Sequence, residues 1–381
     1  MKNTSKLLPV MLTFFTMGFV DLVGIATNYV KADFKLSDTM ANLMASMVFV
    51  WFFLLSVPTG LLMNKIGRKK TVLISLLMTI TSLFIPLITY SFASMLLSFT
   101  FMGIGNTLMQ VSLNPLLASI VSGKRMSSSL TFGQFIKAIA SFIAPIIAGW
   151  ATIKFGDWRF ILFPSFSAIG IIAFIYLGLT KIEEEKITDK PSSLKNCLTL
   201  LSDVYVLFFF LGIMAHVGLD VGINATAPKL MIEHLKIPLT EAGYATSLYF
   251  IFRTAGCLIG SYVLSQFGDR KVFMISVGMI LMGIICLFSY KQVVMYAGIA
   301  LFGVGNSNIF PVMFSQALKC KPENKNEVSG LMITGISGGA IFPLLMGVVS
   351  DALNSQVGAL IILLILISFL ILMVLPKIRR I

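Results

Sequence analysis

Four ionisable side chains stand inside long apolar stretches of this sequence: Asp21, Lys137, Asp220 and Arg253. A charge at the centre of a bilayer costs about 2.5–3.5 kcal/mol on insertion scales, so such residues pair with one another or mark an ion or substrate path. Two acids and two cations sum to zero, which points to neutralised pairs, for example Asp21 with Lys137 and Asp220 with Arg253. The chemistry on offer is proton or cation exchange at a carboxylate that cycles between paired, protonated and ligand-bound states. A lysine beside an aspartate favours the ionised acid, so proton coupling requires the pair to open during a cycle. His216 lies one turn from Asp220 on the same helical face. Its simplest role is a hydrogen-bonded core histidine, with assistance to a proton path as the alternative.

The uncharged polar residues in the same stretches are Asn28, Gln110, Asn114, Gln134, Asn224, Asn306 and Asn308. Amides both donate and accept hydrogen bonds, which suits a hydroxyl-rich ligand that must shed its water shell. The alternative is interhelical bonding, worth about 0.6–2 kcal/mol each. Gln110 and Asn114 are four apart and share a face. Other chemistries are poorly supplied. Cys197, Cys257, Cys286 and Cys320 are scattered, and His216 and His234 are the only histidines, so no metal set or cofactor is expected. No nucleophile–base arrangement or phosphate loop suggests an enzyme.

These residues need apolar elements to carry them, and the composition supplies little else. Of 381 residues, 57% are hydrophobic and 12% charged, about half the ~25% charge of soluble domains; the mean hydropathy is +0.93. An all-α integral membrane protein follows. A spanning helix needs about 20 apolar residues, and twelve stretches qualify: 7–30, 40–64, 71–90, 92–120, 126–153, 159–179, 203–230, 240–266, 272–290, 292–318, 327–350 and 356–376. The long polar stretch from Lys181 to Ser202 separates two halves of six. This predicts an N-terminal bundle over 1–180, a linker over 181–202 and a C-terminal bundle over 203–381. The net charge of +13 is mainly an orientation signal. About twenty of the 29 cations fall on one face, including Lys65, Arg68, Lys69 and Lys70, which places both termini in the cytoplasm. The cations are not grouped as a nucleic-acid footprint would be.

The halves repeat one another. Gly103-Ile104-Gly105-Asn106 recurs as Gly303-Val304-Gly305-Asn306, Gly60 to Arg68-Lys69-Lys70 as Gly260 to Asp269-Arg270-Lys271, Asp21 near Asp220, and Pro145 with Gly149 as Pro343 with Gly347, all at an offset near 200. An even number of spans per half keeps both halves in the same orientation, the parallel repeat of two six-helix bundles that suits alternating access about a midplane site.

Several segments resemble the fucose–proton symporter family, a branch of the major facilitator superfamily. They are Gln110-Val111-Ser112-Leu113-Asn114-Pro115 with Ser129 to Phe135, Val217-Gly218-Leu219-Asp220-Val221-Gly222-Ile223, Asn306 to Pro311, and Ser329-Gly330-Leu331 through Gly338-Gly339-Ala340-Ile341-Phe342-Pro343. The resemblance covers nearly the whole chain and implies a proton-coupled importer of monosaccharides such as fucose, glucose or galactose, monomeric and in the cell membrane among its lipids. The polar residues within the spans supply the coupling or ion-pair set of Asp21, Lys137, Asp220 and Arg253 and the candidate substrate contacts Gln110, Asn114, Gln134, Lys137, Asn224, Asn306 and Asn308, among which the resemblance matches Gln134 to a sugar-contacting Gln. Departures from the family pattern are an amide, Gln110, at a fourth-helix position that is acidic in well-known members, and Lys137 where an Asn is common. Asp21 also lies a turn earlier than the family's first-helix acid, and Asn64 stands where an Asp is common. Lys137 is read first as a counter-ion to Asp21, then as a replacement for an external coupling proton, then as an attractor of anionic sugars. Sodium-coupled or uncoupled carriage and efflux of hydrophobic compounds are the alternatives.

Overall fold

The computed structural model describes residues 4–36, 38–121, 125–184, 194–237 and 244–374. The side chain of Asn28, the linker from 185 to 193 and the cations at 2, 124, 186, 190, 377, 379 and 380 lie outside the described residues. The first span is broken: α1 (Thr4–Met17) enters a tight 3-10 turn, Gly18–Asp21, before α2 (Leu22–Asp33). Then follow α3 (Asp38–Ile66), α4 (Arg68–Ile88), α5 (Phe92–Ile120), α6 (Met126–Phe155), α7 (Arg159–Leu179) and a short α8 (Leu194–Thr199). The second half runs α9 (Val204–Leu235), α10 (Tyr244–Phe267), α11 (Asp269–Leu287), α12 (Gln292–Asn306), α13 (Ile309–Cys320), α14 (Lys325–Thr334), α15 (Gly338–Leu353) and α16 (Val357–Val374). Taking α12 with α13 and α14 with α15, eleven stretches among the described residues are long and apolar enough to cross a membrane. The broken first span makes the twelfth. The all-helical multi-pass architecture is the one the hydropathy predicts, because lipid offers the backbone no partners and helices satisfy it internally.

Two compact units share the chain: 1–122 with 136–199 and 323–334, and 123–135 with 200–322 and 335–381. The units therefore follow the chain halves except at two pseudo-equivalent places. α6 divides between Phe135 and Ile136, and α14 groups with the first unit while α15 groups with the second.

Each unit is packed around its glycine motif. In the first, a Cβ on Gly103 would stand 2.7 Å from the Val48 carbonyl, and one on Gly105 2.7 Å from Thr79 Oγ1, so α5 is pressed between α3 and α4. In the second, Gly303 and Gly305 meet the Tyr249 and Ser276 carbonyls at 2.8 and 2.7 Å in the same sense, which presses α12 between α10 and α11. The repeated motif is thus a repeated close approach, the usual device for helix packing where lipid provides no hydrophobic drive. Phe19 stacks on Phe166 at 4.2 Å within the first unit, and buried hydroxyls such as Thr13, Thr107 and Ser112 return their hydrogens to carbonyls three or four residues back.

The two helices that follow the basic motifs begin alike and are neutralised differently. Gly67 and Gly268 precede them with φ of +89° and +81°, a conformation that favours glycine. Arg68-Lys69-Lys70 then sets three cations at the positive end of the α4 dipole. Glu184, from the linker end of the first unit, offsets them: its two oxygens accept from Arg68 N at 2.6 Å and Lys69 N at 2.9 Å. Lys69 Nζ in turn donates to the carbonyls of Gly178 and Thr180 at the end of α7, both at 2.9 Å. In the second unit Asp269 supplies the acid within α11 itself.

Candidate functional site

The polar interior of the first unit forms where the 3-10 turn brings the first span against α6. Gly18 makes this possible: a Cβ there would lie 2.4 Å from the Lys137 carbonyl oxygen and 2.8 Å from Ala140 Cβ. The turn ends at Asp21, which faces Lys137 and Ser141, one turn apart on α6. Lys137 Nζ stands 4.0 Å from Asp21 Oδ2, with side-chain exposures of 21% and 45%. That is an ion pair by distance but beyond hydrogen-bond reach. The direct partner is Ser141, whose Oγ donates to Asp21 Oδ2 and also lies 3.2 Å from the Lys137 carbonyl oxygen. Ser141 was not among the sequence candidates. Its spacing from Lys137 was the available signal.

The amides form a ladder on α5. Asn106 Nδ2 donates to the Met17 carbonyl at 2.8 Å, just before the 3-10 turn, and Gln110 Nε2 donates to Asn106 Oδ1 at 2.7 Å. Asn114 Nδ2 returns to the Gln110 carbonyl at 2.9 Å, and its Oδ1 is buried without a hydrogen-bond partner. Gln110 is half-buried, whereas Asn114 is closed off. Gln134, also half-buried, falls in the α6 segment that groups with the second unit.

The second unit holds a longer network. Arg253 NH2 meets Asp220 Oδ2 at 2.9 Å, with exposures of 31% and 15%. Tyr249 OH donates to Asp220 Oδ1, Asn306 Nδ2 donates to Tyr249 OH at 2.8 Å, and His216 Nδ1 lies 2.9 Å from Asn306 Oδ1. The order of bonds settles the direction. With the tyrosine hydrogen on the carboxylate, its oxygen accepts from the Asn306 amide, so Asn306 Oδ1 faces His216 and Nδ1 must carry a proton. Every donor in the chain points toward Asp220. His216 is therefore joined to Asp220 through Asn306 and Tyr249 rather than directly, and it is almost fully buried. Asn224 Nδ2 donates to the Asp220 carbonyl at 2.7 Å, leaving its Oδ1 buried without a hydrogen-bond partner. Asn308 is buried against α10, where a Cβ on Gly260 would come within 1.8 Å of its Oδ1.

The acids thus occupy corresponding places in the two halves and the cations do not: Lys137 comes from α6, Arg253 from α10. Asn106 and Asn306 also correspond, each reaching back to the first helix of its half, to a backbone carbonyl at Met17 and to the His216 ring. Tyr249 was not a sequence candidate either. It lies one turn before Arg253, but an aromatic residue in a span reads as packing until its hydroxyl is seen to have partners. Among the described residues no three His, Cys, Asp or Glu side chains converge as a metal site would require.

The family model described as Major Facilitator Superfamily matches residues 10–224 and 209–380. A glucose/galactose transporter of Brucella abortus is 26% identical over 373 residues, covering 92% of this chain and 88% of that protein. A putative glucose/galactose transporter of Helicobacter pylori is 24% identical over 382 residues, covering 93% and 91%. Among solved structures, the Escherichia coli fucose:proton symporter FucP superposes with a TM-score of 0.82 at 17% identity, over 98% of this chain and 99% of that one. At that identity the likeness concerns the fold.

Proposed function

The chain belongs to the Major Facilitator Superfamily, and from that premise we propose that it imports a monosaccharide across the cell membrane by alternating access, coupled to protons. The observation that carries the reading is the likeness of more than nine-tenths of the chain to relatives named as glucose/galactose transporters. The fold match to a fucose:proton symporter and the half-open Asp21–Lys137 pair support the coupling. Asp21 is the coupling carboxylate and Lys137 its counter-ion. Gln110, Gln134 and Lys137, half-buried members of the polar set, contact sugar hydroxyls. Asn306 spends its amide on the network of the second unit, and Asn114, Asn224 and Asn308 each keep a buried carbonyl oxygen without a hydrogen-bond partner. Asp220 and Arg253 form the ion pair of the second half. The protein works as a monomer with both termini in the cytoplasm.

The test is uptake in proteoliposomes. Saturable sugar uptake should be accelerated by an inward proton gradient, and Asp21→Asn should abolish the acceleration. Uptake indifferent to the gradient rules the coupling out. A second reading, an anionic sugar as substrate, rests on the partly exposed Lys137 ammonium. Thermal stabilisation by a neutral hexose, with none by sugar acids, removes it.

A further inference from the structure

On the reading that Asp21 carries the coupling proton, we propose that Ser141 is a positioning residue for coupling, the partner that holds the Asp21 carboxyl in both of its protonation states. A lysine ammonium only donates, so Lys137 cannot accept the hydrogen that Asp21 gains on protonation; a hydroxyl donates and accepts. Ser141 Oγ is placed to use both roles. Its one hydrogen has two acceptors, Asp21 Oδ2 and the Lys137 carbonyl at 3.2 Å. With Asp21 ionised, the serine donates to the carboxylate. When a proton from water adds to Asp21, the new acid O–H donates to Ser141 Oγ, and the serine hydrogen turns to the Lys137 carbonyl. One O–H bond forms, none breaks in the protein, and the site gains one positive charge, which resides on Lys137 now freed of its counter-ion.

The surroundings leave this exchange to those three residues. Among the described residues, Lys137 is the charged group within ion-pair distance of Asp21. Of the spans packed on the broken first helix, α3 between Thr39 and Asn64 and all of α5 contain no Asp, Glu, His, Lys, Arg, Cys or Tyr. α7 contributes Tyr176 and, at its start, Arg159, which is committed to Asp157 at 2.7 Å. The second half lacks the same freedom. Tyr249 also gives Asp220 a hydroxyl, but its oxygen already accepts from Asn306, and Arg253 bonds the carboxylate directly at 2.9 Å. Reversing that hydroxyl would orphan a buried amide, so the second pair is built to stay fixed.

The experiment compares wild type, Ser141→Ala, Ser141→Thr and Asp21→Asn as full-length protein in proteoliposomes, reading gradient-driven uptake relative to sugar counterflow across pH. Ser141→Ala should lower that ratio about tenfold, the scale of one lost hydrogen bond to an ionised group, and flatten its pH profile. Ser141→Thr, which keeps the hydroxyl, should match wild type. Infrared difference spectra on a pH jump give a readout independent of transport: the carboxyl C=O band that Asp21→Asn removes should shift in Ser141→Ala and stay in place in Ser141→Thr. A wild-type ratio and an unshifted band in Ser141→Ala overturn the role of Ser141 while leaving Asp21 in place. Gradient stimulation that survives in Asp21→Asn overturns the coupling reading itself and the serine role with it.

Discussion

Replacing Tyr249 by Phe removes one oxygen from the centre of the second unit's network and leaves the ring volume unchanged, so no cavity term arises. Tyr249 is almost fully buried, and so is Asn306. Two bonds are lost. Asp220 loses a donor to an ionised acceptor, worth about 1.5–3 kcal/mol, and Asn306 Nδ2 loses its acceptor in a site closed to water, a penalty of about 1–3 kcal/mol. Arg253 still holds the other carboxylate oxygen at 2.9 Å, which limits the first loss to its lower end. The expected destabilisation is about 2.5–4.5 kcal/mol. Unfolding in mixed micelles titrated with a denaturing detergent measures it, and a cycle with Asn306→Leu isolates the shared bond. The two substitutions should be less than additive by 1 kcal/mol or more, because either one already breaks the Asn306–Tyr249 link. A cost below about 0.5 kcal/mol for Tyr249→Phe, or strict additivity in the cycle, refutes the view that the network acts as a unit.

Two further tests address the ends of helices. Glu184→Ala strips the acceptors from Arg68 N and Lys69 N and should destabilise the protein by about 0.5–2 kcal/mol, the range for a lost helix cap, as read by thermal unfolding in detergent. Asp203, just before α9, accepts from Lys321 Nζ at 2.7 Å and caps Tyr205 N and Val206 N. The bond from Lys321 is the largest influence on its carboxyl and, with the two backbone bonds, holds it below the usual value against the opposing effect of burial. A depressed folded value means the contribution is present above the unfolded carboxylate value of about 3.9 and is lost as pH falls through the folded one. Asp203→Asn should therefore flatten the acid limb of a stability–pH curve below about pH 4, and an unchanged limb would show that the bridge does not matter.

Much of this protein is legible in its sequence because the bilayer leaves few choices. Apolar runs of spanning length must become helices, so the segment count, the two halves and the offset of 200 between Gly103 and Gly303 were all visible in one dimension. So were the four charges, since a rare residue type in an apolar run needs no structure to be noticed. The partners were harder. Ser141 and Tyr249 are ordinary residues in a span, and their importance lies only in what stands opposite them. Gly18 illustrates the same limit: its role depends on the carbonyl of Lys137, which is 119 positions away and 2.4 Å from where a Cβ would sit.

Hydropathy and charge, properties of residue types along the chain, settled on their own that this is a helical membrane protein in two related halves with two acids and two cations in costly places. The tertiary structure alone decided how those charges are held. Pairing depends on which helix crosses which and at what height. Corresponding acids consequently met cations from non-corresponding helices, one held loosely at 4.0 Å beside a serine and the other bonded directly at 2.9 Å within a chain that ends on a buried histidine.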